Sequence, residues 1–243
     1  MRFFRSSNKY VALILVLLGM ASVASAAIIA PEPPNIQFTM KLGDGVPYGL
    51  PATITPVQVG DKWRYEVDGS YNQHGYEMTL HFVIDPDPSV SGNIVVKNNL
   101  PTTQTFTLSN VTPVGVPFNP SLLNGSVGVT LTSDDTAGTV ATAAPDAIYT
   151  ALIDGIPVKT LLNHPFSLSA PAFDSAVATD RFGIPIPEAG GAVNATIGIN
   201  LKFTLTPGDQ VGITSQFTAN PVPEPTTLLG LAIGGLALVR RRK

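Results

Sequence analysis

A chain of 243 residues is long enough for one sizeable core, and 44% hydrophobic against 13% charged residues marks a globular polypeptide, not a disordered one. With no cysteine it holds neither a disulfide nor a thiolate metal site, and thiol chemistry is excluded. The formal charge of −3 averages unlike parts. Of fourteen Lys and Arg, three precede residue 27 and four follow residue 239, leaving seven against the sixteen Asp and Glu that precede Glu224, so the body sits near −9. Such a body repels nucleic acid and anionic membrane surfaces.

Arg2, Arg5 and Lys9 precede an apolar run from Tyr10 to Met20, and Ala24-Ser25-Ala26 has the small residues of a cleavage site. The pattern predicts a secretory signal peptide over residues 1–26, cut between Ala26 and Ala27. A run of about eleven residues is too short to remain as a comfortable anchor. Residues 27–35, with Pro31-Glu32-Pro33-Pro34, read as a stiff extended lead-in.

From residue 36 to 219 the chain reads as strands. Ile36, Phe38, Met40 and Leu42 alternate with polar residues, and Gly43-Asp44-Gly45 follows as a turn. Trp63, Tyr65 and Val67 alternate likewise, with Asp68-Gly69 as the expected end of that strand and Tyr71 to Gly75 as a loop. Tyr76, Met78, Leu80, Phe82 and Ile84 form the next strand, stopped by Asp85-Pro86-Asp87-Pro88. Shorter candidates cover residues 93–97, 104–108, 126–132, 148–153 and 157–162, with Asn124-Gly125 and Asp154-Gly155 as turn dipeptides. Last comes an unbroken alternation from Val193 to Leu205, then Pro207-Gly208, then Val211, Ile213 and Phe217 as the expected partner of a hairpin.

No body segment shows the 3.6-residue apolar period of a helix, and no repeat of fixed length appears. About ten antiparallel strands with one polar face each predict an all-β fold, a single antiparallel β-sandwich of jelly-roll-like or Ig-like kind, with a closed barrel as the lesser alternative.

Chemistry is sparsely marked. Glu77 and His81 share one face of a strand, but positions four apart lie about 13 Å from one another along it, too far for one coordination shell. Asp85 with Asp87, and Asp134 with Asp135, are loop carboxylates of the kind that bind calcium and equally of the kind that cap turns. Neither pair has the spacing of an EF-hand loop, and no other metal or cofactor is called for. There is no nucleophile elbow, phosphate loop or dinucleotide fingerprint, so the expectation is that the protein is not an enzyme. Trp63 and Tyr65 fall on the inward phase of their strand, which leaves Tyr71 as the aromatic to suspect of ligand contact.

The last segment, residues 220–243, is organised differently. Pro223 and Pro225 forbid helix and hold Glu224 on extended backbone. An apolar run, residues 228–239, follows; as a helix its twelve residues reach about 18 Å, short of a roughly 30 Å hydrocarbon core. Arg240, Arg241, Arg242 and Lys243 close it as a basic anchor that stays on the cytoplasmic side. The motif Val222-Pro223-Glu224-Pro225, the apolar run and the basic cluster together resemble the PEP-CTERM sorting domain of exported bacterial proteins. The resemblance covers about the last twenty-two residues. It implies recognition by an exosortase, a membrane-embedded cysteine transpeptidase, after export by the secretion machinery, with transient residence in the inner membrane and release to the cell surface or beyond. It also implies association with exopolysaccharide. The expected role is structural or adhesive; a carbohydrate-binding module is the alternative and a secreted hydrolase the third reading.

Overall fold

The computed structural model describes residues 32–60, 62–85 and 88–222. The signal peptide with Ala24, Ala26 and Ala27, Asp87, the motif residues Pro223, Glu224 and Pro225, the apolar run and the basic cluster therefore lie outside the described residues. Within them every regular element is a strand. The elements are β1 (Gln37–Leu42), β2 (Tyr48–Gly49), β3 (Thr53–Val59), β4 (Lys62–Gln73), β5 (Tyr76–Asp85), β6 (Ser89–Asn98), β7 (Gln104–Pro113) and β8 (Ser121–Thr132). They continue as β9 (Gly138–Ala141), β10 (Tyr149–Ile153), β11 (Ile156–Leu161), β12 (Ser167–Ala170), β13 (Ser175–Phe182), β14 (Glu188–Gly190), β15 (Thr196–Leu205) and β16 (Gln210–Pro221).

Two antiparallel eight-stranded sheets share them, which makes the expected sandwich. The first runs β11-β10-β15-β7-β1-β2, with β9 also on β15 and β12 on β9; the second runs β13-β8-β16-β6-β5-β4-β3, with β14 also on β8. The outer strands carry their own protection against edge pairing: β3 contains Pro56, and β2 is only two residues long.

The alternation read from the sequence decides which side chains enter the space between the sheets. Phe38, Met40, Phe106, Leu108 and Phe203 of the first sheet, and Tyr76, Met78, Phe82, Ile94 and Phe217 of the second, are all nearly or fully buried. Aromatic rings join the layers: Phe38 meets Phe82 at 4.9 Å between centroids, and Tyr76 meets Phe106 edge-on at 5.7 Å. Removing one such ring costs about 3–5 kcal/mol by transfer and cavity terms together.

Three turn readings need correction. β4 does not stop at Asp68-Gly69, nor does β8 begin after Asn124-Gly125; both dipeptides lie inside long strands. The cause is packing. A Cβ on Gly69 would meet the Tyr71 ring at 2.6–3.0 Å, and one on Gly125 would meet the Phe182 ring at 2.6 Å, so each glycine makes room for an aromatic neighbour on the same face. The third correction concerns the pair after Val193. β15 and β16 follow one another across Pro207-Gly208, yet they are not a hairpin: β15 pairs with β7, β10 and β9, and β16 with β6 and β8. Both alternate because both line the same core from opposite sheets. Val193 itself falls outside β15 and makes an isolated bridge to Phe118.

Of the expected connections, Asp154-Gly155 is a tight turn as read, while the loop expected over Tyr71 to Gly75 shrinks to His74-Gly75 because β4 runs on to Gln73. His74-Gly75 joins β4 to β5 and Asp154-Gly155 joins β10 to β11, each with positive φ at both residues (56° and 76°, 51° and 77°) as a two-residue hairpin of matching twist requires. β1 starts at Gln37 opposite Val111 near the end of β7, and β16 finishes at Pro221 opposite Ser121 at the start of β8. The chain thus enters and leaves the sandwich at one end.

Candidate functional site

Two surfaces remain after the core is accounted for. The first is the outward face of the second sheet, where the strand register lays polar side chains in rows. Asp68, His81 and Asn93 are neighbours across β4, β5 and β6; Ser70, Thr79 and Val95 form the next row, and Asn72, Glu77 and Lys97 the one after. β16 and β8 extend the rows with Thr214, Gln210, Thr130 and Thr132. Two shallow grooves, of about 210 and 400 Å³, run over these rows.

Within the rows Asp68, His81 and Glu77 each have a local partner. His81 Nδ1 lies 2.7 Å from Asp68 Oδ1, and since a carboxylate accepts, the Nδ1–H donates. Glu77 Oε1 accepts from Asn99 Nδ2 at 3.0 Å. Glu77 and His81 therefore serve different partners, as their spacing along the strand requires. Among the described residues no three His, Asp or Glu side chains converge to hold a metal ion.

The loop carboxylates singled out from sequence are separated by the fold. Asp85 ends β5 opposite Ser89, whereas Asp134 and Asp135 follow β8 at the other end of the sandwich. Asp134 Oδ1 accepts from the Thr136 N–H at 3.0 Å and from Thr136 Oγ1 at 3.1 Å, and the Thr136 N–H foremost holds its carboxyl below the usual range. This is the turn-capping role. Tyr71 is not in a loop. It belongs to β4 with 7% of its surface exposed, its hydroxyl donates to the Pro51 carbonyl, and burial raises its pKa.

The second surface is the end where the chain leaves. β16 stays paired with β8 through Asn220 and Pro221, and the Val222 N–H donates to the Pro120 carbonyl at 3.1 Å. The sorting motif thus begins on a fixed point of the body. Beside that point opens a pocket of about 620 Å³, walled by Pro88, Val116, Pro117, Phe118 and Pro221, with Lys62 also lining it. Val116 is 74% exposed there. The same end is clamped by Asp154, whose carboxylate accepts the N–H groups of Asn194, Ala195 and Thr196 at 2.7–3.0 Å and the Asn194 side chain at 2.9 Å. Desolvation raises the pKa of this carboxyl, but these four donors outweigh it and hold the group below its ordinary value.

Sequence reasoning missed this pocket, since it forms from four separated stretches. The local signal was proline at residues 88, 117 and 221, of which Pro88 was read as part of a strand stop. Compared with known families, residues 221–243 match the PEP-CTERM protein-sorting motif. No curated protein matches the chain.

Proposed function

Taking as premise that this is an exported protein carrying a PEP-CTERM signal for an exosortase, we propose that its body is a non-enzymatic structural or adhesive component of an exopolysaccharide-rich surface layer. The tail holds it at the inner membrane until processing, after which it resides at the cell surface or in the extracellular matrix.

The observation that carries this reading is the outward face of the second sheet. It offers mixed donors and acceptors from Asp68, His81, Asn93, Thr79 and Thr214 over a broad surface with shallow grooves. Polysaccharide hydroxyls suit such a face, because each both donates and accepts. Each contact alone is weak, and a polymer engages many at once, so binding grows by multivalency. The acids give further support. Asp68, Glu77, Asp134 and Asp154 each hold a neighbouring group of the protein, which favours a structural use of these carboxylates over a catalytic one.

A carbohydrate-binding module is the second reading, favoured by the groove of about 400 Å³ over Asp68, His81 and Asn93. Calorimetry with the processed protein separates them. The structural reading expects retention on insoluble or polymeric exopolysaccharide without saturable heat from short oligosaccharides. Saturable binding of one soluble sugar class, abolished by His81→Ala or Asn93→Ala, replaces it with the second reading. Turnover of a polysaccharide or ester library replaces both.

A further inference from the structure

We propose that the apolar pocket at the chain's exit is a docking surface for the sorting enzyme, which grips the body as well as the motif. The inference rests on the sorting reading and adds a contact to it. Its basis is the length of chain available. Val222 is pinned to Pro120, and Glu224 lies two residues further, so at about 3.3–3.6 Å per residue the motif reaches no more than about 7 Å from the body. Pro223 and Pro225 fix φ and remove slack. Pairing of β16 to β8 through Pro221 prevents the body from paying out more strand. An active site that closes around Glu224 must therefore bring its own rim over Pro221 and the loop that carries Val116.

What the rim meets there is concave and mostly apolar, with Lys62 and Asn220 as the polar members of its lining. The walls are Pro88, Val116, Pro117, Phe118 and Pro221, and the volume of about 620 Å³ accommodates side chains of a partner. The partner chemistry that fits is an apolar side chain or loop on the outward-facing surface of the membrane-embedded enzyme. An anionic lipid surface fits less well, since the body sits near −9.

The test is pulse-chase processing of the full chain in cells that carry the sorting enzyme. Val116→Asp and Val116→Arg are expected to slow processing about tenfold, the loss typical of one disrupted anchor at an interface. Phe173→Asp, 80% exposed at the opposite end, is the control and leaves the rate unchanged. A ten-residue Gly/Ser insertion between Pro221 and Val222, which leaves the motif whole, separates the two contacts. It is expected to slow processing to the same degree, with Val116→Asp adding nothing further. Glu224→Ala distinguishes the two layers of the argument. If it blocks processing while both Val116 variants run at the wild-type rate, the docking surface is overturned and the sorting reading stands. If Glu224→Ala is processed normally, the sorting reading fails and takes the docking surface with it. Faster processing of the Val116 variants means that the pocket shelters the chain's own proline segment, which also overturns the proposal.

Discussion

The two ends of the sandwich are made of different materials. Where β15 hands over to β16, the chain crosses from one sheet to the other, and the crossing is held by buried polar groups. Asn98, fully buried, donates its side-chain amide to the carbonyls of Thr102, Leu205 and Thr206 at 2.9–3.2 Å, and its own carbonyl oxygens accept from Leu100 and Gly208. Asp209 is buried beside it and accepts from the Asp134 N–H and the Thr206 hydroxyl. At the far end Thr112 and Ser121 are buried too, but the point where the chain leaves borders a mostly apolar pocket, and both ends of the described chain emerge there. A crossover between sheets leaves backbone groups without ladder partners, so it must be satisfied by side chains. An end that hands its chain to another protein has the opposite requirement, an uncommitted surface next to the cut.

The largest effect expected from this contrast is at the crossover. Asn98→Ala takes the donor from the buried Leu205 carbonyl and from the part-buried carbonyls of Thr102 and Thr206, and is expected to cost about 2–3 kcal/mol, read as a lower midpoint in urea denaturation with unchanged slope. A loss under about 1 kcal/mol means that water replaces the amide and the crossover is not held as described.

A smaller effect belongs to the exit end. Asp154→Ala removes the acceptor for three backbone N–H groups that remain near water, and is expected to cost about 1–2 kcal/mol. Because the folded carboxyl titrates below its ordinary value, its contribution is complete above about pH 4 and is lost as pH falls through the folded pKa. Asn98 does not titrate. Hydrogen exchange followed as pH falls through that folded pKa should therefore show the amides of Asn194, Ala195 and Thr196 losing protection while those of Asn98 and Gly208, which donate to backbone carbonyls, keep it. Equal loss at both places removes the distinction.

The period of two was legible because it depends only on which face is buried. It identified the inward sides of β1, β5 and β15 and with them the sandwich. Pairing was not legible, since two strands facing one core from opposite sheets alternate like a hairpin. β13 escaped notice because its half-buried positions are Ala176, Ala178 and Asp180, while Val177 points outward. Gly69 and Gly125 misled for a related reason: a glycine under an aromatic ring and a glycine in a turn look alike until the ring's position is known. The sorting motif was legible because its order along the chain carries the signal, and the pocket beside it was not, because its walls meet only in the folded protein.

Above all, the exit end must be a processing end. The direct measurement is intact mass spectrometry of the protein recovered from the surface fraction of its native cells. A species that begins at Ala27 and ends between Val222 and Thr227, with or without an attached group at that terminus, is the predicted result. A surface species that still carries residues 228–243 contradicts it.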